Sequence, residues 1–144
     1  MPTPFTGGCA CGAIRYECDA EPLLALNCHC RACQRASGTA FAAILRVPAG
    51  AFTVTQGEPR FYTVRGDSGN TVSRGFCSAC GSPLFSRLSG MSEVIGVRMG
   101  SVDDPSQYPP TMDMFVASAQ PWDCMDPKLP NSPHYPPGVG PKHS

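Results

Sequence analysis

The stretch Asn27-Cys28-His29-Cys30-Arg31-Ala32-Cys33-Gln34-Arg35-Ala36-Ser37-Gly38 places three thiols within six residues of an otherwise ordinary small chain. That density argues for a metal ion: tetrahedral zinc takes cysteine thiolates at about 2.3 Å, structural sites closing all four positions and catalytic sites keeping one open. Cys28 and Cys30 are two apart and project from the same side of an extended segment. The two-residue gap before Cys33 lets the chain curl back, so the three sulfurs can converge on one ion. From Arg31 to Ser37 the residues are good helix formers and Gly38 suits a helix stop, which predicts one or two helical turns with Cys33 in the first. Unpaired N–H groups and the positive end of the dipole there, with Arg31 and Arg35 nearby, favour thiolate over thiol. His29, lying between Cys28 and Cys30, should point away from them, and it is read as a hydrogen-bonding or surface histidine rather than a ligand.

Outward from this motif the chain is a series of short extended segments. Gly7-Gly8-Cys9-Ala10-Cys11-Gly12 is a glycine-flanked turn whose small residues let backbone approach an ion. From Ala13 to Cys18 the alternation of Ile14, Tyr16 and Cys18 against Arg15 and Glu17 predicts a half-buried strand. Strands are also expected over Leu23–Leu26, Phe41–Val47, Ala51–Thr55, Phe61–Val64, Leu84–Phe85, Val94–Met99 and Met112–Ala117. A turn is expected at Pro48-Ala49-Gly50 and a polar loop over Arg65–Asn70. Downstream of Thr71, Cys77-Ser78-Ala79-Cys80-Gly81 forms a two-residue knuckle closed by a glycine, the half-site of a zinc ribbon. Many short strands and almost no long helical period predict a mainly β domain.

The 144 residues suit one domain, read as residues 1–122. After Trp122, which is expected to pin its start, residues 123–144 are read as an irregular proline-rich arm. Seven of the sixteen prolines lie between Pro121 and Ser144. His134 and His143 in that arm are expected to be solvated. Eleven Lys+Arg balance eleven Asp+Glu, so the electrostatic footprint of a nucleic-acid binder is missing and anionic membranes are not called for. A small, neutral or locally recognised partner is expected. No apolar run approaches the ~20 residues that span a bilayer, and Met1 to Ala10 lacks the basic and apolar regions of a signal peptide, so a cytoplasmic protein is expected.

Nine cysteines are an odd number for a disulfide scaffold, and seven fall in close clusters, which in a reducing compartment read as metal ligands. Cys18 is read as a small buried hydrophobe. Cys124 sits in a loop-like region without an assigned role. The seven divide most simply as four plus three. Cys9, Cys11, Cys77 and Cys80 would close a structural site that ties the first turn to the distant knuckle and couples metal binding to folding. Cys28, Cys30 and Cys33 would hold a second ion with one position open. Spacing alone does not exclude the other partition, in which Cys28 and Cys30 pair with Cys77 and Cys80.

The three motifs resemble those of the glutathione-dependent formaldehyde-activating enzyme family, which shares its domain with centromere protein V. They are Gly8-Cys9-Ala10-Cys11-Gly12-Ala13-Ile14-Arg15-Tyr16, Cys28-His29-Cys30-Arg31-Ala32-Cys33-Gln34-Arg35-Ala36-Ser37-Gly38 and Phe76-Cys77-Ser78-Ala79-Cys80-Gly81-Ser82-Pro83-Leu84, in the family's order and within roughly Phe5 to Trp122. The resemblance implies a β-tent of small antiparallel sheets organised around zinc. It also implies a structural zinc on Cys9, Cys11, Cys77 and Cys80 and a catalytic zinc on Cys28, Cys30 and Cys33, which supports four plus three. One departure stands out: where the family tends to carry a histidine opening the last strand, this chain has Asp113. The implied activity is a carbon-sulfur lyase type, joining glutathione as co-substrate to formaldehyde to give S-hydroxymethylglutathione. Arg31 and Arg35, four apart on a short helix, are candidates for the glutathione carboxylates. Competing readings are an enzyme acting on another small thiol or aldehyde, and a non-enzymatic zinc-held protein-binding module.

Overall fold

A computed structural model of the chain describes residues 4–66 and 69–140. Among the described residues, eleven strands and one α-helix are joined by loops and by five short 3-10 turns. In order these are β1 Phe5–Gly8, β2 Arg15–Cys18, β3 Leu24–Cys28, α1 Arg31–Ser37, β4 Ala42–Pro48, β5 Phe52–Gln56, β6 Arg60–Arg65, β7 Thr71–Phe76, β8 Pro83–Leu88, β9 Val94–Arg98, β10 Asp113–Met114 and β11 Asn131–Ser132. The domain is mainly β, as expected. Strands β1, β2 and β5 form a three-stranded sheet, and the remainder run β11-β10-β3-β4-β9-β8-β7-β6 in a second. Pairing is antiparallel except that β10 lies parallel to both β3 and β11.

The period-two pattern of β2 has the predicted consequence: Ile14, Tyr16 and Cys18 are buried. Tyr16 lies edge-on to Phe5 and packs against Phe52, and its hydroxyl sits 2.6 Å from Ser101 Oγ. That contact explains β1, which sequence reasoning took for part of a turn. Gly7 crosses directly over Tyr16, and a Cβ there would fall 2.3 Å from the tyrosine hydroxyl and 2.4 Å from the Ser101 carbonyl, so only glycine lets the strand approach.

Two buried clusters result. The larger joins Tyr16, Phe52, Leu84, Phe85, Ile95 and Val97 and includes Cys9 and Cys77. The smaller joins Leu26, Ala42, Ile44 and Met114 with Cys28 and Cys33. Each set of thiols is thereby anchored at the margin of a core.

The C-terminal part departs from expectation in two ways. Strand β10 stops after Met114 instead of running to Ala117, because Phe115 turns into the left-handed region at φ 59° and Val116–Ser118 form a 3-10 turn. The Phe115 ring thereby lies edge-on to Tyr135 and His134, while the Phe115 and Ala117 N–H groups donate to the His134 and Pro133 carbonyls. Trp122 does not pin the arm, since it is 70% exposed. The arm is held by β11 beside β10, by Tyr135 and Val139 against the smaller core, and by the Arg46 guanidinium donating to the Val139 carbonyl. Desolvation leaves Tyr135 with a raised pKa. His134 is exposed, and His143 lies outside the described residues.

Candidate functional site

The four-thiol group is built by two backbone loops. After β1 the Cys9 N–H donates to the Ile14 carbonyl and Gly12 closes back on the Cys9 carbonyl. Between β7 and β8 the Cys77 N–H donates to the Ser82 carbonyl and Gly81 closes back on Cys77 at 2.7 Å. The Ala10 N–H donates to Ser82 Oγ at 3.0 Å, which locks one loop onto the other. The sulfurs of Cys9, Cys11, Cys77 and Cys80 consequently all lie within 4.8 Å of one another. Cys9 to Cys11 is 3.6 Å and Cys11 to Cys77 is 3.8 Å. A tetrahedral ion with bonds of about 2.3 Å requires edges of about 3.8 Å, so this donor set fits zinc. The Cys80 thiol is brought down to about 5, chiefly by the Ser82 hydroxyl and then by the Ser82 backbone.

The three-thiol group sits where β3 hands over to α1. Cys28 ends the strand, Cys30 is the helix N-cap and Cys33 lies in the first turn, with their sulfurs likewise within 4.8 Å of one another. The helix spans the predicted residues and ends on Gly38 in the left-handed region. Its first-turn N–H serves Cys30 rather than Cys33: the Cys33 amide donates to Cys30 Sγ at 3.3 Å. Hydrogen bonds from the Cys28 and Cys33 thiols, then that amide and the charge of Arg74, hold Cys30 far below the usual thiol range. Cys28 is pushed far up by the same sharing and by burial. Among the described residues no fourth histidine, cysteine or carboxylate joins these three. As a donor set they suit a soft ion with one position left for a ligand.

Among the cations near these thiols are Arg74 on β7 and Arg98 on β9, whose charges favour the thiolates of Cys30 and Cys33 respectively. Both were missed. The available signal was a single charged residue closing the apolar run Val94-Ile95-Gly96-Val97-Arg98. Arg31 and Arg35 are both exposed, and Arg31 donates to Gln34 Oε1.

His29 points away from the thiols, as expected, and of the two roles expected for it takes the hydrogen-bonding one, wholly buried. Its Nε2 lies 2.9 Å from Asp113 Oδ1 in hydrogen-bonding geometry. Its Nδ1 lies 2.9 Å from Asp123 Oδ2, within ion-pair reach but too bent for a hydrogen bond. Both ring nitrogens are thus turned to carboxylates and neither to the thiol cluster. Asp113, 2% exposed, also accepts from Asn27 Nδ2 at 3.2 Å, so it supports the loop and takes no place among the three sulfurs. Gln34 reinforces the same loop: its amide donates to the His29 carbonyl at 2.6 Å and to the Ser118 carbonyl at 2.9 Å. Its position on the inward face beside Cys33 was the only sequence cue. Cys18 is fully buried, as expected, and Cys124 is exposed.

Two clefts lie near this framework, connected to it through Arg98, with none of Cys28, Cys30 and Cys33 in the lining of either. One of about 630 Å³ is lined by Cys9, Arg15, Ser37, Phe41, Arg98 and Asp103 among others, with Arg15 and Asp103 ion-paired at its rim. The other, about 190 Å³, lies between α1 and the sheet and is lined by Ala36, Tyr62, Arg74, Phe76, Phe85 and Arg98 among others.

A sequence model described as glutathione-dependent formaldehyde-activating enzyme matches residues 4–118, a span that contains both thiol groups and Arg74 and Arg98. The chain belongs to that family. Family membership carries a formaldehyde-activating, glutathione-related function at the level of the family. The fold is shared with the crystal structure of a Rhodobacter sphaeroides protein at 23% identity and a TM-score of 0.57, covering 71% of this chain and 93% of that one. Among the described residues no helix is long and apolar enough to cross a membrane.

Proposed function

We propose that the chain joins glutathione, or a similar thiol, to formaldehyde at Cys28, Cys30 and Cys33, giving S-hydroxymethylglutathione, and that Cys9, Cys11, Cys77 and Cys80 hold a structural zinc. The observation that carries this reading is the incomplete sulfur set: three convergent thiols, with the adjacent histidine hydrogen-bonded through Nε2 to Asp113 and its Nδ1 turned toward Asp123. Zinc on these three thiolates would supply an electrostatic hold on an incoming sulfur as thiolate, a role that suits a thiolate-rich ion better than making hydroxide.

The chain's own part is positional. The Cys33 amide, Arg74 and Arg98 favour anionic sulfur in this corner. His29, Asp113 and Gln34 keep the loop from Cys28 to Cys33 in one shape. Exposed Arg31 and Arg35 stand on the same short helix as cations for an acidic co-substrate. In the reaction the co-substrate thiol gives its proton to water, its sulfur forms a bond to the aldehyde carbon, and the carbonyl oxygen takes a proton from water. The reverse direction breaks the same carbon-sulfur bond.

The test is cobalt substitution. Adding glutathione should shift the spectrum toward four-sulfur coordination, and S-methylglutathione, which cannot form a thiolate, should not. A spectrum already that of two closed four-sulfur sites before any thiol is added would refute the open site and favour a zinc-held binding module.

A further inference from the structure

Strand register decides which side chains share the thiol face. Leu26 pairs with Ile44 and Ile44 with Arg98, while Cys28 pairs with Ala42 two residues along, so Cys28 and Arg98 face the same side. On the far strands Arg74 pairs with Ser86 and Ser86 with Gly96, which is two residues from Arg98 and therefore on that side as well. Two guanidiniums from strands that are not neighbours thus converge beside the three sulfurs, with the small residues Ser86 and Gly96 between them.

No acidic side chain among the described residues pairs with either guanidinium; the ion pairs found are Arg15 with Asp103 and His29 with Asp113 and Asp123. Arg98 is only 7% exposed, and its Nη1 is buried without a hydrogen-bond partner, as is Nε of Arg74. Buried donors are nearly always satisfied, and an unpaired buried charge is costly, so such a pair calls for an anion that comes from outside. Both arginines line the cleft of about 190 Å³, and Arg98 also lines the larger one.

We propose that Arg98 and Arg74 form a carboxylate-recognition subsite, which makes the open three-thiol site selective for a thiol that carries a carboxylate. The fork of donors on a guanidinium matches a carboxylate in a way an ammonium does not. The proposal rests on the reading that this site takes a thiol co-substrate, and it deepens that reading by assigning what selects the thiol. Arg98 and Arg74 are specificity-determining residues here.

The test is calorimetric and does not use turnover. Glutathione, its diethyl ester and S-methylglutathione are titrated into the zinc-loaded protein. The parent should bind glutathione about tenfold or more tightly than the ester, as expected for losing charge-assisted hydrogen bonds. Arg98→Met should bring the ratio of acid to ester affinity most of the way to one, whatever it does to the affinity for the ester itself, and Arg98→Lys should restore only part of that ratio. Equal affinity for acid and ester in the parent overturns the proposal without any variant, as does a preference that survives in folded Arg98→Met. Should that variant not fold, Arg74→Met reads the same ratio. Failure of the thiol reading is separate: it shows as S-methylglutathione binding as tightly as glutathione, whatever the ester does.

Discussion

Cys30 and Cys77 have the same side chain and opposite surroundings. Cys77 is buried in the larger core, its amide bonded to Ser82 and its sulfur 3.8 Å from Cys11, so metal bound there ties β1 to the β7–β8 loop across more than sixty residues. Cys30 is half-buried at a helix start, where the amide of Cys33 and Arg74 favour its thiolate. Cys77→Ser should therefore leave largely insoluble or unfolded protein, because a structural site contributes folding free energy outright. Cys30→Ser should give a folded chain that retains the structural metal and loses the second. Metal analysis with a circular-dichroism melt separates the two, and equal loss of folding would end the division between a closed and an open site.

The decisive element is α1, seven residues that carry Cys33 and Gln34 inward and Arg31 and Arg35 outward. It is too short to be stable by itself, so its ends matter: Cys30 caps the start and Gly38 the finish, where the Gly38 N–H closes on the Gln34 carbonyl at 2.8 Å. Gly38 adopts φ 72°, and a Cβ there would meet nothing within 4 Å. Gly38→Ala should therefore cost only the conformational strain, about 1 kcal/mol. A urea titration should show a lower midpoint with an unchanged slope. A loss several times larger would mean that the glycine is needed for a close approach that the geometry does not contain.

Over the whole molecule, the proline-rich arm completes the site region. Asp123 reaches His29, β11 flanks β10, and Tyr135 and Val139 cover the smaller core that holds Cys28 and Cys33. A chain ending at residue 122 should keep the four-thiol group, which is built by the loops after β1 and between β7 and β8, and lose order around the three-thiol group. Zinc per chain should fall from two to one, with a lower melting temperature. Retention of two zinc ions and an unchanged melt would show the arm to be dispensable.

Cysteine spacing, the alternation of Ile14, Tyr16 and Cys18 and the helix from Arg31 to Ser37 were legible because each is a local relation, set by the period of a strand, a turn of helix or the reach of two ligands on one loop. The same locality made the four-plus-three division a choice between open alternatives, and the geometry now brings Cys9 and Cys11 to Cys77 and Cys80. Tertiary structure alone decided the rest. Arg74 and Arg98 meet the thiols through the registers of five strands, Asp113 and Asp123 meet His29 from across the chain, and Phe115 ends β10 and receives Tyr135. No local period encodes such meetings. They depend on which strands pair and in which register, and that is settled only when the separate segments bury their apolar faces together.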